Sequence, residues 1–238
     1  DNVGGTVSMI RLAENLRVEK SQSVSISADL YRNWGEWQGN FLVEGFFTDL
    51  DDVFALKEIG FEDGILIKER HNESGARVFG GNLEGKIAYR NLFQLQLGLT
   101  AQNSKYKEAR SWSDDVEATR NMFRTPDFHG YFTASYNPVK ELTLAMTGTY
   151  TGSMLVEHHA GMIEQNVTVR TPDFWDMGFK AAYNFKLYKS FNLEVNAGVQ
   201  NIMNSFQNDF DSGADRDSGY MYGPTLPRTF FLGVKLAY

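Results

Sequence analysis

Cysteine is absent from this chain of 238 residues. Disulfide bonds, thiolate metal sites and cysteine nucleophiles are therefore excluded. Basic residues are also scarce, because 23 lysines and arginines stand against 30 aspartates and glutamates and leave a net charge of -7. A nucleic-acid binder would carry a basic field instead. The sequence thus predicts no nucleic-acid partner.

Long apolar runs are missing too. None approaches the roughly 18 residues that a transmembrane helix needs, so no such helix is predicted. Aromatic residues, by contrast, make up 14% of the chain, and 22 residues are glycine. That mixture suits strands joined by tight turns better than helices. A membrane barrel can have this composition, because half of each strand faces a polar lumen.

The last residues of the chain, 230–238, alternate strictly between two faces. One face is wholly apolar and consists of Phe230, Leu232, Val234, Leu236 and Tyr238. The residues between them are small, mixed or charged, and successive side chains of a strand point to opposite faces. A transmembrane β-barrel has such strands, with rings in an interfacial girdle. The last strand of a soluble sandwich would show the same pattern, so this segment alone leaves both open.

Nine segments alternate well enough to be predicted as strands. They are residues 18–33, 37–50, 77–89, 93–106, 128–137, 142–154, 174–186, 192–204 and 228–238. The connections between them are alternately short and long, and the long ones are residues 51–76, 107–127, 155–173 and 205–227. Short turns at one rim and long loops at the other are typical of outer-membrane barrels. The predicted fold is an all-β, antiparallel up-and-down transmembrane β-barrel.

A short motif stands before three of these strands. Arg-Thr-Pro-Asp-Phe occupies residues 124–128 and recurs at 170–174, and residues 224–229 are a looser relative. Proline is tolerated there because its missing N–H falls outside the strand ladder. The period is one hairpin, so the motif indicates architecture rather than a ligand site.

Motifs of common catalytic sites are missing, including G-x-S-x-G, the P-loop and G-x-G-x-x-G. A barrel hydrolase needs its serine and histidine at the outer face of the barrel. Ser153 and His158 lie near one predicted strand end, but nothing marks them as a catalytic pair. The chain is therefore predicted not to be an enzyme.

Five loop residues are candidates for a substrate-binding mouth. His158 and His159 are adjacent, and on a strand they would point to opposite faces and could share one ion only if the chain bent. Imidazole suits iron, copper, zinc or haem, and the alternative is a solvated loop pair. Trp112, Tyr220 and Tyr222 are loop aromatics that either grip an apolar or ring-bearing substrate or pack the loops over the barrel.

Four aspartates, Asp209, Asp211, Asp215 and Asp217, stand at alternate positions or close to it in one loop that also has a glycine. Calcium takes several oxygen ligands from such flexible loops. The segment lacks the terminal glutamate and the spacing of an EF-hand, and Asp and Gly are also common in solvated loops. A loop calcium site is the one cofactor hypothesis, and no other cofactor is predicted.

Several stretches of the sequence have a family likeness. They are residues 16–21 opening a strand, Asn-Ile-Met-Asn at 201–204 closing one, Tyr-Met-Tyr-Gly-Pro at 220–224, Pro-Arg at 227–228 and the aromatic terminus. In this order they resemble the C-terminal barrel region of TonB-dependent outer-membrane receptors, in the form seen in Bacteroidetes-type bacteria. The likeness runs from about residue 15 to residue 238.

The resemblance implies that this chain is part of a larger receptor. Such receptors are barrels of about 22 strands with a plug domain and a segment that engages TonB. Residues 1–238 would be the C-terminal part of the barrel, and neither plug nor TonB-engaging segment is visible in this chain. The implied function is energy-coupled import of a scarce large nutrient, such as a ferric siderophore, haem or cobalamin, through the bacterial outer membrane.

The implied partners are outer-membrane lipid, the remaining barrel strands and plug, TonB through that plug, and the small-molecule nutrient. Two alternatives stay open: a small self-contained porin-like outer-membrane barrel and a soluble β-sandwich adhesion module.

A lone piece of a barrel has two edge strands whose backbone N–H and C=O groups are unpaired, and lipid cannot form hydrogen bonds with them. We therefore expect it to close on itself, to pair with another copy or to sit beside further strands, and residues 3–12 can offer a tenth strand.

Overall fold

The computed structural model describes residues 2–3, 6–188 and 191–237. Its strands are β1 (Asn2–Val3), β2 (Thr6–Leu12), β3 (Lys20–Trp34), β4 (Trp37–Asp51), β5 (Val53–Glu62), β6 (Ile65–Glu73), β7 (Ala76–Tyr89), β8 (Phe93–Arg110), β9 (Thr119–Asn121), β10 (Phe128–Val139), β11 (Leu142–Thr151), β12 (Leu155–His158), β13 (Val167–Arg170), β14 (Phe174–Tyr188), β15 (Phe191–Gln200) and β16 (Thr229–Ala237). In these ranges no helix has both the length and the apolar character to cross a membrane.

Within the described residues, nine long strands form one antiparallel sheet. Their order is β3, β4, β7, β8, β10, β11, β14, β15 and β16, and the short β9 pairs with β8. Each long strand lies beside the long strand that precedes it in the chain, which is a meander. These are the nine strands that the alternation predicts, and the all-β antiparallel fold class is confirmed.

The hydrogen-bond register lines up side chains of one kind from strand to strand. One apolar row crosses seven strands through Ile87, Leu95, Ala134, Met146, Phe179, Val199 and Phe230. One position away, a polar row runs through Lys86, Gln96, Thr133 and Thr147. Because side chains alternate along every strand, the sheet has one apolar face and one polar face.

Among the described residues, no protein core covers the apolar face. Ile26 is 79% exposed and Leu232 is 77% exposed, whereas the inner strand of a soluble sandwich would bury such side chains. On the polar face, Asn82 Nδ2 donates to Glu44 Oε2 at 3.0 Å, and Thr100 Oγ1 donates to Asn82 Oδ1 at 2.8 Å. An apolar exterior and a hydrogen-bonded polar interior are what a barrel wall in lipid requires.

Aromatic residues border the apolar face at both rims. Near the short turns, the rings of Trp37 and Tyr89 lie 4.8 Å apart. Toward the long loops, the ring of Tyr150 lies 5.7 Å from Phe128 and 4.7 Å from Trp175. Two such girdles are typical of a strand sheet that meets both membrane interfaces.

The lengths of the connections sort by rim, as predicted. The turn between β3 and β4 uses Gly35 at φ 63°, which glycine adopts readily, and residues 90–92 and 140–141 make the next short turns. Of the turn predicted at residues 188–191, residues 189–190 lie outside the described residues, as does the terminal ring of Tyr238. The connections at the other rim are residues 52–75, 111–127, 152–173 and 201–228.

The first long connection is not a plain loop. β5 and β6 form an antiparallel hairpin, and β2 runs parallel to β6 with Leu12 opposite Arg70. The N–H of Ala13 then donates to the carbonyl of Arg70 at 2.9 Å. Residues 3–12 were expected as a tenth strand of the main sheet, and that expectation is wrong, because these bonds place β2 on the hairpin instead.

The main sheet is open. Within the described residues β3 is bonded only to β4, and β16 only to β15. Because seven strands separate β3 from β16 in the meander, both run in the same direction, and closure would need a parallel pair in an antiparallel ladder. The expectation of a small closed barrel is therefore wrong. In lipid, we expect further strands beside both edges.

Candidate functional site

The long connections contact one another at one end of the sheet. Arg124, in the segment between β8 and β10, donates from its guanidinium to the carbonyls of Met221 at 2.8 Å and Gly219 at 2.5 Å. Its φ of 54° turns the chain just before β10 begins. Arg124 opens the first copy of the Arg-Thr-Pro-Asp-Phe motif, so the motif has the architectural role that the sequence indicates.

The five candidate mouth residues form two neighbouring groups of rings. The rings of Trp112 and His159 meet edge to face at 4.8 Å. His158, the next residue back, stacks on Tyr220 with ring centroids 3.7 Å apart and planes within 7° of parallel. The ring of Tyr220 lies 5.2 Å from that of Tyr222. Three separate long connections thus contribute to these two groups, which adjoin because His158 and His159 are consecutive residues.

His158 and Tyr220 pack the loops together. His158 ends β12, and its Nε2 lies 3.0 Å from Asp211 Oδ1. Only 7% of His158 and 3% of Tyr220 is exposed, and the Asp211 side chain is 1% exposed. The ring of His159 faces Trp112 instead, so the two imidazoles have different neighbours.

Trp112 and His159 line a cavity of about 570 Å³. Trp112 is half-buried, and its Nε1 donates to Thr168 Oγ1 at 3.0 Å, which fixes the indole against the hairpin of β12 and β13. Basic and acidic groups share the rest of the wall: Lys57, Lys68, Arg70, His71 and Arg110, with Glu58, Glu73 and Glu157. The cavity therefore offers a ring-bearing surface among charges of both signs.

The carboxylate of Asp209 accepts hydrogen bonds from two tyrosine hydroxyls. Tyr222 Oη donates to its two carboxylate oxygens at 2.7 and 2.8 Å, and Tyr220 Oη donates to Oδ2 at 2.9 Å. Burial pushes the pKa of Asp209 upward, but the hydrogen bonds outweigh it and hold that pKa below its usual value. Burial, aided by the Asp209 carboxylate, raises the pKa of Tyr220 to about 12 and raises that of Tyr222 as well. Both phenols are therefore protonated donors at neutral pH.

Gln207 holds these tyrosines from behind and is 1% exposed. Its Nε2 donates to the carbonyl of Tyr220 at 3.0 Å, and its Oε1 accepts the N–H groups of Tyr222 at 2.8 Å and Gly223 at 3.3 Å. A glutamine in an Asp-rich, Gly-rich segment carries no sign of burial in the sequence. Sequence reasoning therefore misses the residue that shapes this loop.

Asn201 closes the base of the same segment. It has φ 49°, and its Nδ2 donates to the carbonyls of Ser205 at 3.1 Å and Leu226 at 2.9 Å. Asn204 Oδ1 accepts the N–H of Arg228 at 3.0 Å. The Asn-Ile-Met-Asn and Pro-Arg stretches of the family likeness are thus the two ends of one loop tied together.

Two aspartates of the calcium hypothesis, Asp211 and Asp217, accept backbone hydrogen bonds. Asp211 Oδ2 accepts the N–H of Asp217 at 2.9 Å, and the Asp217 carboxylate accepts the N–H groups of His159 at 2.9 Å and Gly219 at 2.8 Å. In the part of the chain that the structure describes, no three His, Cys, Asp or Glu side chains are grouped to hold a metal. Loop calcium stays a prediction.

Comparison with known families decides the identity of the fold. The family model described as TonB dependent receptor-like, beta-barrel matches residues 2–202. The chain belongs to this family. TonB-dependent receptors are transporters of the outer membrane rather than enzymes, so the resemblance and the prediction of no enzyme are confirmed. None of the curated proteins matches the chain.

Solved TonB-dependent receptors have the same fold. The ferric-catecholate import receptor Fiu from K12 E. coli matches with a TM-score of 0.64 and 19% identity, over 93% of this chain and 28% of that one. The copper transporter OprC matches with a TM-score of 0.59 and 14% identity, over 93% of this chain and 31% of that one. A mutant of the ferric enterobactin receptor PfeA from Pseudomonas aeruginosa matches with a TM-score of 0.58 and 15% identity, over 98% of this chain and 34% of that one. At these identities the likeness shows the fold alone, and the chain spans about a third of each receptor's length.

Proposed function

We propose that this chain forms part of the wall and outer mouth of a TonB-dependent receptor that imports a scarce nutrient by energy-coupled transport. The family match over residues 2–202 carries the proposal. The proposal includes a location in the outer membrane of a Gram-negative bacterium. It also includes lipid, further barrel strands, a plug and TonB as partners. Nothing favours the porin-like alternative, and the main sheet is open in the part that the structure describes.

The nutrient that we propose is a ferric siderophore or a similar large ligand such as haem or cobalamin. Fiu and PfeA are receptors for ferric chelates, which supports the iron class. The cavity beside Trp112 and His159 supports a ring-bearing, charged ligand, because ligand sites combine aromatic walls with a few polar groups. Trp112, His158, His159, Tyr220 and Tyr222 are proposed to belong to the mouth, with Trp112 and His159 on its open side.

Uptake by cells that produce the intact protein tests this function. We expect accumulation of one of three labelled ligand classes (a ferric catecholate, haem or cobalamin) in energised cells. In energy-depleted cells we expect surface binding without accumulation, since only the import step is driven. Accumulation that continues after energy depletion would identify a passive pore and overturn the proposal. Accumulation of none of the three classes would overturn the proposed range of nutrients.

Replacement of Trp112 with alanine tests the mouth. We expect the affinity for the imported ligand to fall roughly tenfold, because a ring contact contributes about 0.5–1.5 kcal/mol beyond its buried area. Binding is measured by equilibrium titration of the intact protein in detergent. Phe210→Ala is the matched control, since Phe210 is an exposed loop aromatic outside the cavity. Equal affinities for the wild-type protein and Trp112→Ala would remove Trp112 from the site.

A further inference from the structure

Three hard oxygen donors converge in the loop before β16. Both phenolic oxygens, of Tyr220 and Tyr222, lie 2.8 to 2.9 Å from the same carboxylate oxygen, Oδ2 of Asp209. In an octahedral site with metal–oxygen bonds of about 2.0–2.1 Å, neighbouring ligand oxygens lie about 2.8–3.0 Å apart. Each phenolic oxygen therefore lies at the distance from Asp209 Oδ2 that separates adjacent ligands on one small cation.

We propose that Asp209, Tyr220 and Tyr222 form a binding site for a hard trivalent cation, with ferric iron as its occupant. Carboxylate oxygens suit hard cations, and tyrosine oxygen is an established iron ligand. Two phenolates and one carboxylate carry three negative charges, which match one trivalent ion. The three donors would occupy one part of the coordination sphere and leave the other positions to water or to the oxygens of a chelate.

The tyrosines are held ready for this role by groups that are not ligands. Gln207 bonds the backbone at Tyr220 and Tyr222, and the ring of His158 stacks on Tyr220. Such outer contacts orient ligands and are important for metal affinity. Because the phenolic oxygens are placed by buried contacts, little reorganisation is needed when the proton of each hydroxyl is exchanged for a metal bond.

Proton balance favours a trivalent over a divalent ion. Each phenol must lose its proton to become a ligand, so binding releases two protons to solvent and forms two metal–phenolate bonds. A trivalent charge at the site favours this loss more strongly than a divalent one.

An incoming cation reaches the site from the side of Asp209, because Tyr220 is only 3% exposed. Asp209 is exposed, and residues 209–217 contain four aspartates against one arginine, which gives the loop a negative field that attracts cations. The donor set includes phenols, so it is distinct from the groups of His, Cys, Asp and Glu that are absent from the described residues. Cation binding here also stands apart from the proposed transport and is measured without uptake.

Titration of the intact, detergent-purified protein with ferric nitrilotriacetate tests the site. We expect visible phenolate-to-iron charge-transfer absorption that saturates at one iron per protein. Tyr222→Phe keeps the ring and its packing, and we expect it to diminish the absorption and weaken iron binding at least about tenfold. Asp209→Asn is expected to weaken binding by at least a similar factor.

Asp215→Asn is the matched control. It makes the same charge change in the same exposed segment and is expected to leave iron affinity within about threefold, in keeping with a solvent-screened charge that is not a ligand. Absence of the charge-transfer absorption in the wild-type protein would overturn the site. So would an unchanged spectrum in Tyr222→Phe, or equal losses in Asp209→Asn and Asp215→Asn, which would indicate a general field or a calcium loop. Failed uptake with intact iron absorption would refute the transport proposal alone.

Discussion

Replacement of Leu97 with arginine is expected to lower the free energy of unfolding of the protein in lipid by about 2–4 kcal/mol. Leu97 lies on the apolar face of β8, opposite Gly85 on one side and Phe132 on the other. An arginine there would bring a charge into the hydrocarbon region. Urea titration of the intact protein in phospholipid vesicles, followed by tryptophan fluorescence, measures the loss.

Gln96→Arg is the control for this substitution. Gln96 is the adjacent residue, and its amide donates to Tyr131 Oη on the polar face at 3.2 Å. A charge on that face stays in the water-filled lumen. We therefore expect the free energy of unfolding to change by about 0.5 kcal/mol or less, as for ordinary surface substitutions. Equal losses from the two arginines would contradict the assignment of the faces.

Gln207→Leu is expected to loosen the loop that carries the tyrosines. Leucine has a similar size but cannot bond the carbonyl of Tyr220 or the N–H of Tyr222. Each buried group left without its partner costs about 1–3 kcal/mol. We expect amide hydrogen exchange at Tyr222 to accelerate at least about tenfold, since 1.4 kcal/mol corresponds to a factor of ten.

Asn208→Leu makes a comparable change at the next residue, which is exposed. It should leave the exchange rate of the Tyr222 amide close to that of the wild-type protein. An unchanged rate in Gln207→Leu would show that the glutamine does not hold the loop.

The main sheet was predictable from sequence because lipid imposes a period of two on every strand that it touches. The ends of the strands were less predictable. β15 stops at Gln200 rather than at residue 204, because Asn201 takes a positive φ and leaves the ladder. β8 continues to Arg110, beyond the predicted residue 106.

The hairpin of β5 and β6 was not predicted at all. It lies beyond the apolar band, where no lipid demands alternation, and its register shifts between Glu58 and Gly60. Without a regular period, residues 51–76 resemble a solvated loop. The same reason explains why β2 was assigned to the wrong sheet: its pairing with β6 is parallel and depends on partners far along the chain.

The candidate site was predictable in its residue types but not in its contacts. Aromatic and histidine side chains in long loops are visible in the sequence, and the structure brings Trp112 to His159 and His158 to Tyr220. The pairing of Asp209 with two tyrosines depends on how the loop folds back on itself. No local sequence pattern predicts this loop conformation. It depends on hydrogen bonds from the buried Gln207 to the backbone of Tyr220 and Tyr222.

The absence of cysteine from residues 1–238 allows a direct test of which face meets lipid. Single cysteines at residues 94–97 of β8, introduced by Gln94→Cys, Leu95→Cys, Gln96→Cys and Leu97→Cys, can carry a spin label in the intact, membrane-reconstituted protein once any cysteine outside residues 1–238 is replaced. The account predicts high collision rates with oxygen, which concentrates in lipid, at residues 95 and 97, and with a water-soluble nickel complex at residues 94 and 96. The reverse order, or no alternation along these four residues, would contradict it.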